Sequence, residues 1–69
     1  MIGARVTKLR KLNYMSQKDL AMNMQLMGVD MNLSSLSKLE GQTRIATDRE
    51  VYAIARILNV PVDELFKKI

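Results

Sequence analysis

The sequence predicts an all-α fold built from five short helices. Apolar residues recur in three separate segments at intervals of three, four and seven, which is the spacing of one face of an α-helix. The apolar–polar alternation of a strand never persists beyond a few residues, and only 4% of the residues are aromatic. The predicted helices span residues 2–13, 17–27, 33–40, 48–58 and 62–68.

The first two helices are predicted from their apolar stripes and from the residue that begins the second. The stripes consist of Ile2, Val6 and Leu9 in the first helix and of Leu20, Met24 and Met27 in the second. Ser16 should cap the second helix, because Asp19 stands three residues later and each side chain can accept from the other's backbone N–H group. Gly28 follows the stripe and is a natural place for the chain to turn.

The other three helices are predicted mainly from their ends. Asn32 is a favourable N-cap for the short third helix, and Gly41 provides the turn that ends it. Thr47 and Glu50 have the spacing of a capping box at the start of the fourth helix. The stripe of that helix consists of Val51, Ile54, Ala55 and Leu58. Pro61 has no amide hydrogen, so the fifth helix can only begin after it.

The composition limits the chain to one small domain, residues 1–69, and removes most enzyme chemistry. The sequence contains no His and no Cys, so it lacks an imidazole base, a thiol nucleophile and the nitrogen and sulfur ligands of zinc. The string Ser35-Leu36-Ser37-Lys38 matches the Ser-x-x-Lys of serine acyl-transferases, but their partner motifs are absent. We therefore expect no enzyme activity, no metal, no cofactor and no small-molecule ligand.

Neither a membrane span nor a secretory leader is predicted. Arg56 and Asn59 interrupt the most apolar segment, residues 51–62, and no stretch approaches the roughly 18 consecutive apolar residues that a span requires. Residues 1–15 contain no apolar run of signal-peptide length. We expect a cytoplasmic protein.

The third helix presents a polar face that is suited to DNA. With about 100° per residue and Leu36 at the centre of the buried side, Leu39 lies about 60° away. Ser34 and Lys38 fall on the opposite side, and Ser37 lies at the flank, about 100° from the centre. In a major groove, Lys can donate to guanine O6 or N7, and Ser can bind either base edge. The alternative is that these residues form an ordinary solvated face.

Positive charge is concentrated in the N-terminal part of the chain. The formal net charge of the chain is +4. Residues 1–18 contain no acidic residue and five basic ones, which are Arg5, Lys8, Arg10, Lys11 and Lys18. A basic segment of this kind is a partial electrostatic footprint for phosphate. Nucleic acid is therefore the partner that the charge distribution favours.

Five short strings occur in the order, and at nearly the spacing, of one known family. They are IGARV (2–6), LR (9–10), SQKDLA (16–21), LSKLEG (36–41) and ARILNVPVDEL (55–65). With them the chain resembles the phage Cro and repressor-like, or xenobiotic-response-element, helix-turn-helix proteins. The resemblance implies a lambda-repressor-like five-helix DNA-binding domain, in which the second and third helices form the helix-turn-helix. The turn between these helices, around residues 24–31, is longer than is usual in the family.

The resemblance also implies which residues contact DNA. It adds Leu33 to the polar face of the third helix, so the predicted base contacts are Leu33, Ser34, Ser37 and Lys38. It also adds the loop after that helix, so the predicted phosphate contacts are Gln17, Lys18, Gln42, Thr43 and Arg44. From the residues alone, Gln17 begins a helix whose free N–H groups attract phosphate. Leu33 instead lies about 60° from Leu36, on the core side. Packing in the core or the turn therefore stays open as a second interpretation of Leu33.

Arg10 and Glu40 are expected to form an ion pair. Arg10 lies about 40° from Val6, at the margin of the first stripe, and Glu40 lies on the inward side of the third helix, so both charges face the core. In the family, residues at these positions link the first helix to the recognition helix, and the resemblance implies that role here. Two separate surface charges are the alternative.

A homodimer is expected from the C-terminal end and from the geometry of DNA. A lone helix-turn-helix supplies few base contacts, whereas a two-fold dimer spans two half-sites one helical turn apart. Leu65, Phe66 and Ile69 lie on a chain end that has few residues to cover them. These three residues are the predicted dimer interface.

The leading functional hypothesis is a Cro-like transcriptional regulator, such as a repressor, that binds specific sequences of double-stranded DNA. A second hypothesis is a protein-interaction module or antitoxin-like adaptor, in which the methionine-rich segment 22–31 binds another protein. A third is a basic amphipathic protein that binds a membrane surface. The first hypothesis predicts an affinity for arbitrary duplex DNA that falls steeply with salt, and the second predicts none.

Overall fold

A computed structural model describes residues 2–67. The helices of this part of the chain are α1 (Gly3–Leu12), α2 (Gln17–Leu26), α3 (Leu33–Glu40), α4 (Asp48–Leu58) and a final 3₁₀ helix (Val62–Phe66). No strand occurs in the same residues, so the all-α prediction is confirmed. No helix among them is long and apolar enough to cross a lipid bilayer.

The fifth helix differs from the prediction of an α-helix over residues 62–68, of which residue 68 lies outside the described part of the chain. It is a 3₁₀ helix of five residues, in which the Glu64 N–H donates to the Pro61 carbonyl, three residues earlier. At Lys67 the backbone is already extended, with φ −73° and ψ 145°. Such a short segment after a proline gains little from i→i+4 bonding, and the tighter helix is typical of pieces this short.

The predicted caps of α2, α3 and α4 are all present. Ser16 Oγ accepts from the Asp19 N–H group at 3.0 Å, and Asp19 Oδ2 accepts from the Ser16 N–H group at the same distance. Thr47 and Glu50 form the equivalent box before α4. Asn32 Oδ1 accepts from the Ser35 N–H group at 2.8 Å. Three of the four α-helices therefore begin where a side chain satisfies an orphan backbone donor.

The buried apolar residues form one cluster to which every helix contributes. α2 packs against α3 and α4, α1 packs against α3 and α4, and the 3₁₀ helix closes the core against α1 and α4. The most deeply buried side chains are Val6, Leu20, Met24, Met31, Leu36, Leu39, Ile54 and Leu65. Two methionines of segment 22–31 are therefore core residues, whereas Met22 and Met27 are exposed.

The lengthened turn between α2 and α3 is bonded at both ends. Gly28 adopts φ +82°, a backbone conformation that residues other than glycine rarely adopt. Gln25 Nε2 donates to the Met31 carbonyl at 2.8 Å, and Arg49 Nη2 donates to the Gly28 carbonyl at 3.1 Å. With Met31 buried beneath it, the turn is fastened to α2, to α4 and to the core.

Candidate nucleic-acid interface

The outward face of α3 carries the residues that the sequence assigned to it. Ser34, Ser37 and Lys38 are exposed, while Leu36 and Leu39 on the opposite side are buried. Leu33 is 50% exposed, although its angular position alone favours the core. Leu33 is the first residue of α3, so its side chain lies at the N-terminal tip of the helix, beyond the part that packs against the core. The four side chains therefore form an accessible surface of one apolar, two hydroxyl and one ammonium group.

The carboxylate of Glu40 lies at the centre of a buried polar network that joins three helices. Arg10 Nε donates to Glu40 Oε2 at 2.8 Å and Arg10 Nη2 to Oε1 at 3.0 Å, and each residue is only 8% exposed. Thr7 Oγ1 donates to Oε1 at 2.9 Å and Gln17 Nε2 at 3.2 Å. Arg10 Nη1 donates in addition to the Met15 carbonyl at 2.7 Å.

The network keeps the Glu40 carboxyl ionised. Burial by itself disfavours the charged form, but the hydrogen bonds from Arg10, Gln17 and Thr7 outweigh burial and hold the pKa of Glu40 below its ordinary value. The sequence indicated the Arg10–Glu40 pair and gave no signal for Thr7 or the Met15 carbonyl. Because Glu40 is the last residue of α3, its ion pair with Arg10 fixes the end of that helix to α1, and its hydrogen bond from Gln17 fixes it to α2.

Two predicted phosphate-contacting residues lie at the start of α2. Lys18 is exposed and makes no ion pair within residues 2–67. Gln17 is half-buried and donates one hydrogen to Glu40, which leaves the second hydrogen of its amide group for another acceptor. The first backbone N–H groups of a helix also lack partners within the helix. Donors that suit an anion therefore converge at this helix start.

The loop after α3 holds the other three predicted phosphate-contacting residues, and part of their bonding capacity is used inside the protein. Thr43 Oγ1 donates to the Lys38 carbonyl at 3.2 Å. Arg44 donates through both terminal nitrogens to Glu50, at 2.8 and 2.7 Å. Gln42 is exposed and accepts through Oε1 from the Ala4 N–H group at 3.4 Å.

The Arg44–Glu50 pair is a contact that the sequence did not indicate. Glu50 is buried, and the hydrogen bonds from Arg44 outweigh burial and lower the pKa of its carboxyl. The same hydrogen bonds raise the pKa of Arg44. Glu50 was predicted only as the capping partner of Thr47. Its carboxylate has two oxygens, so it can accept from the Thr47 N–H group and from Arg44 at the same time.

The charges of the N-terminal segment divide into paired and exposed groups. Arg5 pairs with Glu64 at 2.9 Å and Arg10 pairs with Glu40, so both arginines act within the fold. Lys8, Lys11 and Lys18 are exposed and make no ion pair within the described part of the chain. Within this segment, the field available to an external phosphate therefore comes from the lysines.

The predicted dimer residues differ in accessibility. Leu65 is 1% exposed and belongs to the core of its own chain, so its side chain offers no surface to a second copy. Phe66 is 62% exposed and lines an open cavity of about 200 Å³ together with Ile45 and Val51. Ile69 lies outside the described residues.

Comparison with known proteins identifies the family. A sequence model of the helix-turn-helix family matches residues 6–65, from within α1 to the 3₁₀ helix. No curated protein and no solved structure matches the chain. The matched residues include the buried network around Glu40 and the exposed face of α3. The chain therefore belongs to the Cro- and repressor-type helix-turn-helix family of DNA-binding transcription regulators.

Proposed function

We propose that this protein binds specific sequences of double-stranded DNA by inserting α3 into the major groove. The observation that carries the proposal is the accessible face of α3, where Leu33, Ser34, Ser37 and Lys38 project away from the core. In this proposal α2 and α3 form the helix-turn-helix unit, and the bonded turn between them sets their relative orientation. The protein acts as a transcriptional regulator, and as a repressor where its site overlaps a promoter.

The chemistry of the α3 face determines which base edges it can read. Lys38 can donate to O6 and N7 of a guanine, and the hydroxyl of Ser34 or Ser37 can either donate or accept. Leu33 has no polar atom, so its complement in the groove is the C5 methyl group of a thymine. We therefore expect a half-site that contains both a G·C and an A·T pair.

Contacts with the backbone flank the recognition surface on both sides. Gln17 and Lys18 start α2, and Gln42, Thr43 and Arg44 follow α3, which is the arrangement expected of groups that hold the register of a helix in a groove. Lys8, Lys11 and Lys18 add the unspecific attraction that depends on salt. Each phosphate neutralised should make binding fall more steeply as salt rises.

Two copies are proposed to bind together. Phe66 and Ile45 are exposed beside the cavity at the 3₁₀ helix and provide apolar surface that water covers in a single chain. A two-fold contact through Phe66 would bury this surface and allow two α3 helices to reach successive major grooves about 34 Å apart. The interface is small, so association should be weak in solution and stronger on DNA.

Selection of binding sites from random duplexes tests the proposal, followed by affinity measurements on the selected site. Lys38→Ala should lose about 1–3 kcal/mol of discrimination at one base pair and keep its melting temperature. Lys8→Ala is the matched control, because it removes the same charge from an exposed position on α1 and should weaken binding to all sequences alike. No selected sequence, or equal effects of the two variants on specificity, would refute the proposal.

A second test removes single methyl groups from the DNA. Replacing one thymine of the selected site by deoxyuridine deletes only the C5 methyl, and the position that Leu33 contacts should lose affinity in the unmodified protein. In Leu33→Ala the same replacement should have little effect, because the apolar partner is already absent.

Sedimentation with a selected site, comparing the unmodified protein with Phe66→Lys, tests the dimer.

A protein-interaction module remains the second candidate because of one exposed apolar surface. Met22 and Leu26 stand one turn apart on α2, both more than half exposed, and Met27 follows them. Flexible methionines in such a position suit an adaptable protein interface. Under this alternative, affinity for arbitrary duplex DNA stays undetectable at low salt, whereas the proposed function requires measurable binding there.

A further inference from the structure

The turn between α2 and α3 places the exposed carboxylate of Asp30 near the N-terminal end of α3. The turn comprises residues 27–32, and Asp30 lies three positions before Leu33, the first residue of α3. On either side of Asp30, Val29 is half-buried and Met31 is buried, whereas Asp30 itself is exposed. Asp30 therefore belongs to the accessible surface at the same end of α3 as Leu33.

The backbone around Asp30 is held in place. The carbonyl groups of Gly28 and Met31 each accept a side-chain hydrogen bond, at 3.1 and 2.8 Å. The N–H group of Val29 donates to a carbonyl of α2 at 3.0 Å. Asp30 thus lies between two anchored residues, and such support is what a side chain needs to make a contact of defined geometry.

The carboxylate of Asp30 has no structural task among the described residues. It makes no ion pair with any of them. Each of the other six acidic side chains is used by the fold, in a capping box, in an ion pair or in the first turn of a helix, where a carboxylate is favourable. These six are Asp19, Glu40, Asp48, Glu50, Asp63 and Glu64. Next to DNA, a carboxylate without a donor would only repel phosphate and lower the affinity.

We propose that Asp30 determines specificity by accepting a hydrogen bond from the exocyclic amine of a cytosine in the major groove. The inference rests on the proposed function and adds a base contact from the turn to those of α3. A carboxylate can only accept, so among the groups on the base edges it suits the amines of cytosine and adenine. At adenine the acceptor N7 lies beside the amine and repels a carboxylate, whereas the cytosine edge presents the amine without an acceptor.

The order of the residues along α3 predicts where this cytosine lies. Leu33 and Lys38 are five positions apart, which is about 7.5 Å along a helix and about two base-pair steps of DNA. Asp30 precedes Leu33 at the other end from Lys38. With α3 lying along the groove, the cytosine should therefore lie beyond the thymine that Leu33 contacts, on the side away from the guanine that Lys38 binds.

Asp30→Asn and Asp63→Asn, compared on the selected site, test this contact. Both variants remove one carboxylate charge, and Asp63 is an exposed residue of the 3₁₀ helix outside the proposed base contacts. Asp30→Asn should lose about 5- to 150-fold of discrimination for cytosine at one base pair. It should accept adenine there instead, because an amide binds the amine and N7 of adenine together. Asp63→Asn should leave the base preference unchanged, and both variants should melt close to the unmodified protein.

Modified DNA identifies the atom that Asp30 contacts. N4-methylcytosine keeps the hydrogen used for base pairing and replaces the one that faces the major groove, so at this position it should weaken binding of the unmodified protein and have little effect on Asp30→Asn. Identical base preferences of Asp30→Asn and Asp63→Asn would refute the cytosine contact and leave the proposed function standing. The same holds if Asp30→Asn binds all duplexes more tightly by one factor, since the carboxylate then only repels the DNA backbone. An unmodified protein that selects no sequence refutes the proposed function and the cytosine contact together.

Discussion

Removing the carboxylate of Glu40 should be among the most damaging single changes to this fold. In Glu40→Ala the guanidinium of Arg10 stays buried and keeps only its 2.7 Å bond to the Met15 carbonyl. Gln17 also loses an acceptor, whereas Thr7 can turn to the Gly3 carbonyl, 3.1 Å away. Breaking one side of a buried ion pair costs about 3–5 kcal/mol. A chain of this length is stable by about 3–10 kcal/mol, so this cost is a large fraction of its total stability.

Urea denaturation of a double-mutant cycle with Arg10→Ala measures this effect. The cost of the double variant should be smaller than the sum of the two single costs, because the second change removes the group that the first left without a partner. Glu40→Gln is the milder variant to use if Glu40→Ala does not fold, since its amide oxygen still accepts from Arg10. Glu64→Ala is the control, because it removes a carboxylate from a more exposed pair with Arg5.

The control should cost about 1 kcal/mol or less, as partly exposed ion pairs do. A cost for Glu40→Ala no larger than that of Glu64→Ala would mean that burial of the pair adds nothing. A coupling energy between Arg10 and Glu40 that is indistinguishable from zero would refute the assignment of a buried ion pair. Either result would also remove the physical reason for a fixed orientation of α3 against α1.

Three further predictions concern pH and backbone geometry. The pKa values of Glu40 and Glu50 are lowered in the folded protein, so the stability that these carboxylates contribute is complete above about pH 5 and is lost as the pH falls through and below about 4.5. Urea denaturation across this pH range should show a smaller pH dependence in Glu50→Gln, because that variant has one such carboxyl fewer. Gly3→Ala should destabilise the protein by about 1–3 kcal/mol, because the added Cβ would overlap the Leu39 carbonyl, although alanine is the better helix former and propensity alone predicts stabilisation. Tyr14→Gly should stabilise it by about 0.5–1 kcal/mol, since Tyr14 has φ +56° and is 96% exposed; a lower melting temperature would contradict this.

The parts of the fold that were predictable from sequence depend on neighbouring residues. Ser16, Asn32 and Thr47 mark helix starts because an N-cap acts on an amide two or three residues away. The stripes predicted the buried faces of α1, α2 and α4 for the same local reason, except that Met27, at the end of the stripe of α2, is 42% exposed. Pro61 showed where the last helix must begin, but not whether the five residues that follow it form α or 3₁₀ hydrogen bonds. Periodicity contains no such information.

The parts that were not predictable depend on distance in space between residues far apart in the chain. Glu50 was identified as a cap, yet nothing local indicated that Arg44 also binds it. The bond between Gln42 and Ala4 exists only because α1 and α3 come together at Gly3. The prediction for Leu33 was ambiguous between base contact and core packing. A helical wheel gives the angle of a side chain around its helix, but not the point along the helix at which packing against a neighbour ends. The contact set of the interface therefore needed the structure.

The buried network explains how an eight-residue helix can be held in one orientation. A helix as short as α3 is marginal by itself, so its position depends on what it packs against. Apolar contacts such as those of Leu36 and Leu39 hold a helix in place but tolerate repacking at small cost. Glu40 is different, because its two oxygens must meet donors from α1 and α2 at the same time. A buried ion pair adds little net stability compared with a well-packed apolar pair. Its contribution here is geometric, because it permits one position of the end of α3 relative to Gln17. The proposed function requires such a fixed position, since α3 would read the bases while the start of α2 binds the DNA backbone.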